Sequence, residues 1–113
     1  MSKHYSIEKI QEIAGGDEDF MAVVAQTFLD EIPPDLEALQ EAVSNNNKEL
    51  AYQFAHKMKP NFEMFGVEIN KEILAIESWT KTSKKQSAIE SKLETVVTTV
   101  KEVIKELKED FNL

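Results

Sequence analysis

The apolar residues of this chain recur three and four apart through most of its 113 positions, and no stretch alternates apolar and polar residues between turn signals. A period near 3.6 marks one face of a helix, whereas a half-buried strand needs a period of 2. Only three glycines and three prolines interrupt the pattern. With so little turn punctuation, most of the chain must be regular structure, and the expected fold class is all-α.

Five helical segments follow from the pattern. Ser6 to Ala14 is a short helix with Ile7, Ile10 and Ile13 three apart. "GGD" ends it, and Asp17 is the next N-cap, with Glu18 and Asp19 in a first turn where the helix dipole favours acids. Phe20, Val23, Val24, Phe28, Leu36, Leu39 and Val43 then recur at helical spacing, and Pro33 and Pro34 either kink this segment or divide it in two. "SNNN" is a loop, and Asn47 caps a third helix over 48–65 that Gly66 ends. A fourth, over 68–80, carries Ile69, Ile73, Ile76 and Trp79. "SKKQ" at Ser83 to Gln86 reads as a capping box. It opens a long fifth helix with Ile89, Leu93, Val96, Val97, Val100, Ile104 and Leu107 on its core side. The β-branched run from Val96 to Val100 lies inside that helical period and is assigned to helix. Trp79 and the phenylalanines at 20, 28, 54, 62 and 65 are assigned to the core.

Four helices of useful length with short loops predict an antiparallel up-down four-helix bundle. It occupies one domain over 1–113, a length that suits a single core. Without cysteine there are no disulfides, thiolate nucleophiles or Cys-based zinc sites. No secretory leader and no membrane-length apolar run is seen, so a cytoplasmic location is expected. The net charge of −8 repels phosphate backbones and anionic lipid, which argues against nucleic acid and membrane surfaces and for a protein partner or small ligand.

The chain has two histidines. His4 lies near the N-terminus, where fraying and a surface role are expected. His56 lies in "AHKMKPNFEMFG", Ala55 to Gly66. At about 100° per residue, with Leu50 at zero, Phe54, Met58, Phe62 and Phe65 fall between roughly 40° and 120°, and His56 falls near roughly 240°. His56 therefore stands on the outer face, with Tyr52 and Gln53 one turn before it and Lys59 one turn after. An exposed His and Lys on a helix are most often surface decoration. Against that, Pro60 removes the N–H that the His56 carbonyl would accept, at a cost of about 3 kcal/mol. Such a cost at an exposed position points beyond stability, and the short proline side chain leaves room for a partner's surface beside the imidazole.

An imidazole with its ordinary pKa of about 6.5 is largely neutral at pH 7 and has a free lone pair. It attacks a phosphoryl group without a separate base. The phosphoramidate formed is strongly anionic, and a cation at i+3 stabilises it. No Gly-rich phosphate loop is present, so the phosphate comes from elsewhere. Di-iron bundles need inward Glu-x-x-His pairs. Gln53 stands three before His56 and His56 faces outward, so no metal site is expected.

The stretch resembles the phosphorylation motif of histidine-containing phosphotransfer (HPt) domains: His56, Lys59, a small residue at Pro60, and Gly66 ten residues after the histidine. The acidic segment from Gly16 to Asp19, "FLDEIPPDLEAL" and the long final helix are also similar to the family, so the likeness covers nearly the whole chain. "HKMKP" in particular resembles small free-standing members from Bacteroidetes-type bacteria. The resemblance implies a monomeric four-helix bundle with a short N-terminal capping helix. It implies a phosphoacceptor at His56, supported by Lys59. It implies transfer to and from the aspartate of receiver domains, in response regulators and hybrid histidine kinases, with Mg2+ supplied by the receiver and no cofactor of the chain's own. Such a protein is a phosphorelay intermediate, not an enzyme. The alternative is an interaction module that binds receiver or kinase domains without phosphotransfer. Tyr52, Gln53, Lys57, Pro60, Glu63 and Gly66 are the expected partner-facing positions. Glu63 is placed to tune the imidazole, to meet a partner's lysine, or to be a solvated charge. Many family members carry Gly at the Pro60 position and Ser at the Asn61 position, which leaves the docking angle of a receiver open.

Overall fold

The computed structural model describes residues 4–113. Five α-helices form: α1 (Ile7–Ala14), α2 (Glu18–Ser44), α3 (Lys48–Met64), α4 (Asn70–Trp79) and α5 (Glu90–Phe111). A 3-10 turn over Gln86–Ile89 leads into α5, and no strand occurs among the described residues. Ser6, Asp17 and Asn47 accept backbone N–H bonds as N-caps of α1, α2 and α3. These side chains satisfy donors that a helix start leaves without partners.

The helices pack into one globule of 47 × 24 × 20 Å. The 27 residues of α2 span about 40 Å at 1.5 Å each and set the long axis. α2 packs against α1, α3 and α5; α3 packs on α4, and α4 on α5. Ile10, Ala25, Phe28, Ile32, Leu39, Met58, Ile73, Ile76, Val96, Val100, Val103 and Leu107 form the driest part of the shared core. Phe28 packs its ring against Phe65 at 4.6 Å and Phe62 at 6.3 Å, which joins α2 to the end of α3.

Several expectations need correction. Of the two outcomes left open at Pro33 and Pro34, division does not occur: α2 runs through both. The apolar contacts on either side, from Ile32 and Leu36, hold the helix together across the carbonyls that lose their donors. Phe20 is 47 % exposed and Val23 56 % exposed, so neither belongs to the core. They lie in the first two turns of α2, where the helical stripe is continued inward by Met21, Ala25 and Phe28 instead. Ile7 and Ile13 are likewise exposed, and Ile10 and Ala14 carry the contact of α1. Ser83 caps nothing. Neither the 3-10 turn nor α5 has a side-chain N-cap, because the loop before them is held by Trp79 and Lys48 in another conformation. Val103 is completely buried on α5, although the expected stripe passed it over.

Gly66 has φ +65° and closes α3. The Val67 N–H donates to the Phe62 carbonyl and the Gly66 N–H to the Glu63 carbonyl. A Cβ at Gly66 would stand 2.7 Å from the Ser6 Cβ. The glycine thus permits both the left-handed turn and the approach of α1, whose Ser6 N–H donates to the Phe65 carbonyl at 2.8 Å. The N-terminus does not fray from His4 onward. The His4 backbone and ring both bond Glu106, and the Tyr5 hydroxyl donates to Asp110 at 2.5 Å. None of the helices is long and apolar enough to cross a membrane among the described residues.

Candidate functional site

His56 stands in the middle of α3 with its side chain 60 % exposed. The outward placement read from periodicity is the observed one. Pro60 does not break α3, which continues to Met64.

The imidazole has two neighbours. Tyr52, one turn earlier, stacks on it with ring centroids 5.5 Å apart and planes 9° from parallel. On the other side, Nδ1 lies 3.7 Å from Oε1 of Glu77 on α4. The same oxygen is 3.6 Å from Lys59 Nζ. Both separations are longer than a hydrogen bond, and Glu77 Oε1 is buried with no hydrogen-bond partner among the described residues. One carboxylate oxygen is thus shared at long range between an imidazole nitrogen and an ammonium. An unsatisfied buried acceptor of this kind is costly unless its neighbours close on it. A small rotation of either side chain would do so.

Glu77 was not singled out by sequence reasoning. Its signal was available: it follows Ile73 by four and Ile76 by one, on the stripe that α4 buries. A carboxylate at a core-stripe position is a marked departure from pattern. Asp35 carries the same signal, between Ile32 and Leu39 on α2, and is also buried. It accepts from Lys57 Nζ at 3.0 Å. Lys57, expected among partner-facing residues, therefore has its ammonium on α2, although the side chain remains largely exposed.

The other expected positions divide into two groups. Tyr52 and Gln53 line a groove beside His56 together with Lys48, Glu49, Thr80 and Lys81. Lys81 Nζ lies 5.7 Å over the Tyr52 ring. Glu63 and Gly66 instead line a separate groove with Ser6, Lys9 and the start of α4. Gly66 lies ten residues along from His56, about 15 Å of helix, and Glu63 is not paired with the imidazole. Of the roles left open for Glu63, the place beside the imidazole is taken by Glu77.

Far from this site, His4, Glu102 and Glu106 bring three donor atoms within 4.8 Å of one another. His4 Nδ1 sits 2.5 Å from Glu106 Oε2. That contact is a charge-assisted hydrogen bond tying the N-terminus to α5, and nothing else there points to an ion.

No family model, no curated protein and no solved structure matches the chain.

Proposed function

We propose that this protein is a histidine phosphocarrier of the HPt kind, with His56 as the phosphoacceptor. The observation that carries the reading is the arrangement around His56: an exposed imidazole whose Nδ1 faces a buried carboxylate that also faces Lys59. A carboxylate beside Nδ1 favours the tautomer with its proton there, which leaves the Nε2 lone pair for attack. The receiver domain of a response regulator or hybrid kinase supplies an aspartyl phosphate and its Mg2+. The Nε2–P bond forms as the acyl P–O bond breaks, and the aspartate leaves as a free carboxylate. The imidazole proton stays on Nδ1, where Glu77 stabilises it. Lys59, on the following turn, turns from Glu77 to the arriving phosphoryl oxygens. The reverse sequence hands the group to a second receiver.

The packing supports the same reading. α2 packs on α3, α3 on α4, α4 on α5 and α5 back on α2, with α1 laid against α2. We read this ring as an up-down four-helix bundle with α1 as its cap, acting as a monomer. Such a carrier needs no cofactor and no nucleotide site of its own.

The test is transfer from receiver domains loaded with labelled phosphate, in the presence of Mg2+. Wild type is expected to take up the label in an acid-labile, base-stable form. His56→Gln is expected to take up none, while its unfolding free energy stays within about 0.5 kcal/mol of wild type because the side chain is exposed. Binding of receivers by both proteins without any transfer would establish the interaction module instead.

A further inference from the structure

Three lysines in the segment that follows α4 have no ion-pair partner among the described residues. Lys57 meets Asp35 and Lys59 meets Glu77, but Lys81, Lys84 and Lys85 are exposed and touch no carboxylate within 4 Å among the described residues. From Ser78 to Ile89 the chain carries these three lysines and no Asp or Glu, in a protein of net charge −8. The loop that carries them is built to hold its shape. The Trp79 indole N–H donates to the carbonyls of Lys84 and Lys85, both at 3.0 Å. Lys48 Nζ reaches the carbonyls of Thr82 and Lys84 and lies 5.0 Å over the Trp79 ring. Thr82 adds a bond from its hydroxyl to the Trp79 carbonyl and accepts the Lys84 N–H. Every one of these bonds uses loop backbone or residues behind it, so the ammoniums of Lys84 and Lys85 are left outside. Lys81 connects the loop to the site through Tyr52, which stacks on His56. Glu49 is the one carboxylate lining the intervening groove.

We infer that Lys81, Lys84 and Lys85 form a basic apron that receives the acidic rim of the phosphoryl-donating protein; this rests on the phosphocarrier reading. A site that holds an aspartyl phosphate and a divalent cation gathers several carboxylates, because hard cations take oxygen ligands. Its surroundings repel a partner of net charge −8. Exposed charges act over about 8–10 Å at ordinary ionic strength. Lys81 is within that reach of the site through Tyr52, and Lys84 and Lys85 extend the positive charge along the loop toward Lys48, where a docked partner's rim would meet it. The fixed loop presents them on a backbone already ordered, so docking orders only their side chains. Their effect falls on the association rate and its salt dependence, not on the chemistry at His56.

The test compares wild type, Lys84→Glu/Lys85→Glu, and the triple variant that adds Lys81→Glu. His56 loading is read twice, from phosphoramidate and from a receiver domain carrying labelled phosphoaspartate, at low and at high salt. Loading by phosphoramidate, a small anion that needs no docking surface, is expected to change much less than receiver-dependent transfer. Receiver-dependent transfer is expected to fall about tenfold or more in the triple variant at low salt, with the difference shrinking at high salt. Equal receiver-dependent rates with equal salt dependence would overturn the apron while leaving the phosphocarrier intact. Failure of wild type to load from either donor would overturn both. Tight binding of an RNA oligonucleotide, lost in the triple variant, would reassign the patch and overturn the protein-partner proposal.

Discussion

Glu77 is the residue on which the site turns. Its Oε1 is covered by protein yet accepts no hydrogen bond among the described residues, and it lies within 4 Å of both the imidazole and the ammonium of the proposed chemistry. A group in that position contributes little to stability, since a buried carboxylate without full pairing gains less than its desolvation costs. Glu77→Gln keeps the shape and removes the charge. Its urea midpoint is expected to be unchanged or raised, while phosphoryl transfer to His56 falls about tenfold as the Nδ1–H tautomer loses its carboxylate. A transfer rate equal to wild type would show that Glu77 is structural only. Asp35 differs although it shares the burial, because Lys57 completes a 3.0 Å bond to it.

The ends of the helices show how much of each element was legible. Asp17 and Asn47 were readable as N-caps because capping is a local bond between a side chain and the next turn's N–H groups. Ser83 offers the same local pattern and fails, since the Trp79 indole and the Lys48 ammonium claim the loop carbonyls from outside the segment. Gly66 was readable as a helix stop, but its second task, admitting α1, was not. That task gives a prediction. Gly66→Ala must place a side chain at φ +65° and a Cβ 2.7 Å from Ser6, so a loss of about 2–3 kcal/mol is expected on chemical denaturation. Gly15 has a similar φ of +61° with open space around it. Gly15→Ala is expected to cost only about 1 kcal/mol, and equal losses at the two positions would refute the contact with α1.

The two ends of the chain are joined across the whole molecule, through His4 with Glu106 and Tyr5 with Asp110. Tyr5 is buried, and burial first, then the bond to Asp110, pushes its hydroxyl well above the ordinary tyrosine value of 10.0. A group with a raised folded pKa contributes stability that is intact below its unfolded value and is lost as pH climbs toward the folded one. Stability is therefore expected to be insensitive to Tyr5 below pH 10 and to decline above it. In Tyr5→Phe that component of the alkaline decline is absent, measured as the difference between the two pH–stability curves. Parallel curves above pH 10 would show that the hydroxyl ionises freely in the folded protein.

Helix content, the order of the helices, most of the core stripe and the outward face of His56 followed from the sequence alone. Periodicity, caps and the scarcity of breakers are properties of neighbouring residues along one chain. Only the tertiary structure decided that Pro33 and Pro34 stay within a single helix, that Phe20 and Val23 remain outside, that Val103 goes inside, and that Glu77 rather than Glu63 faces the histidine. Each of these depends on which surface a helix meets. That is set by packing between segments far apart in sequence, and no local spacing encodes it.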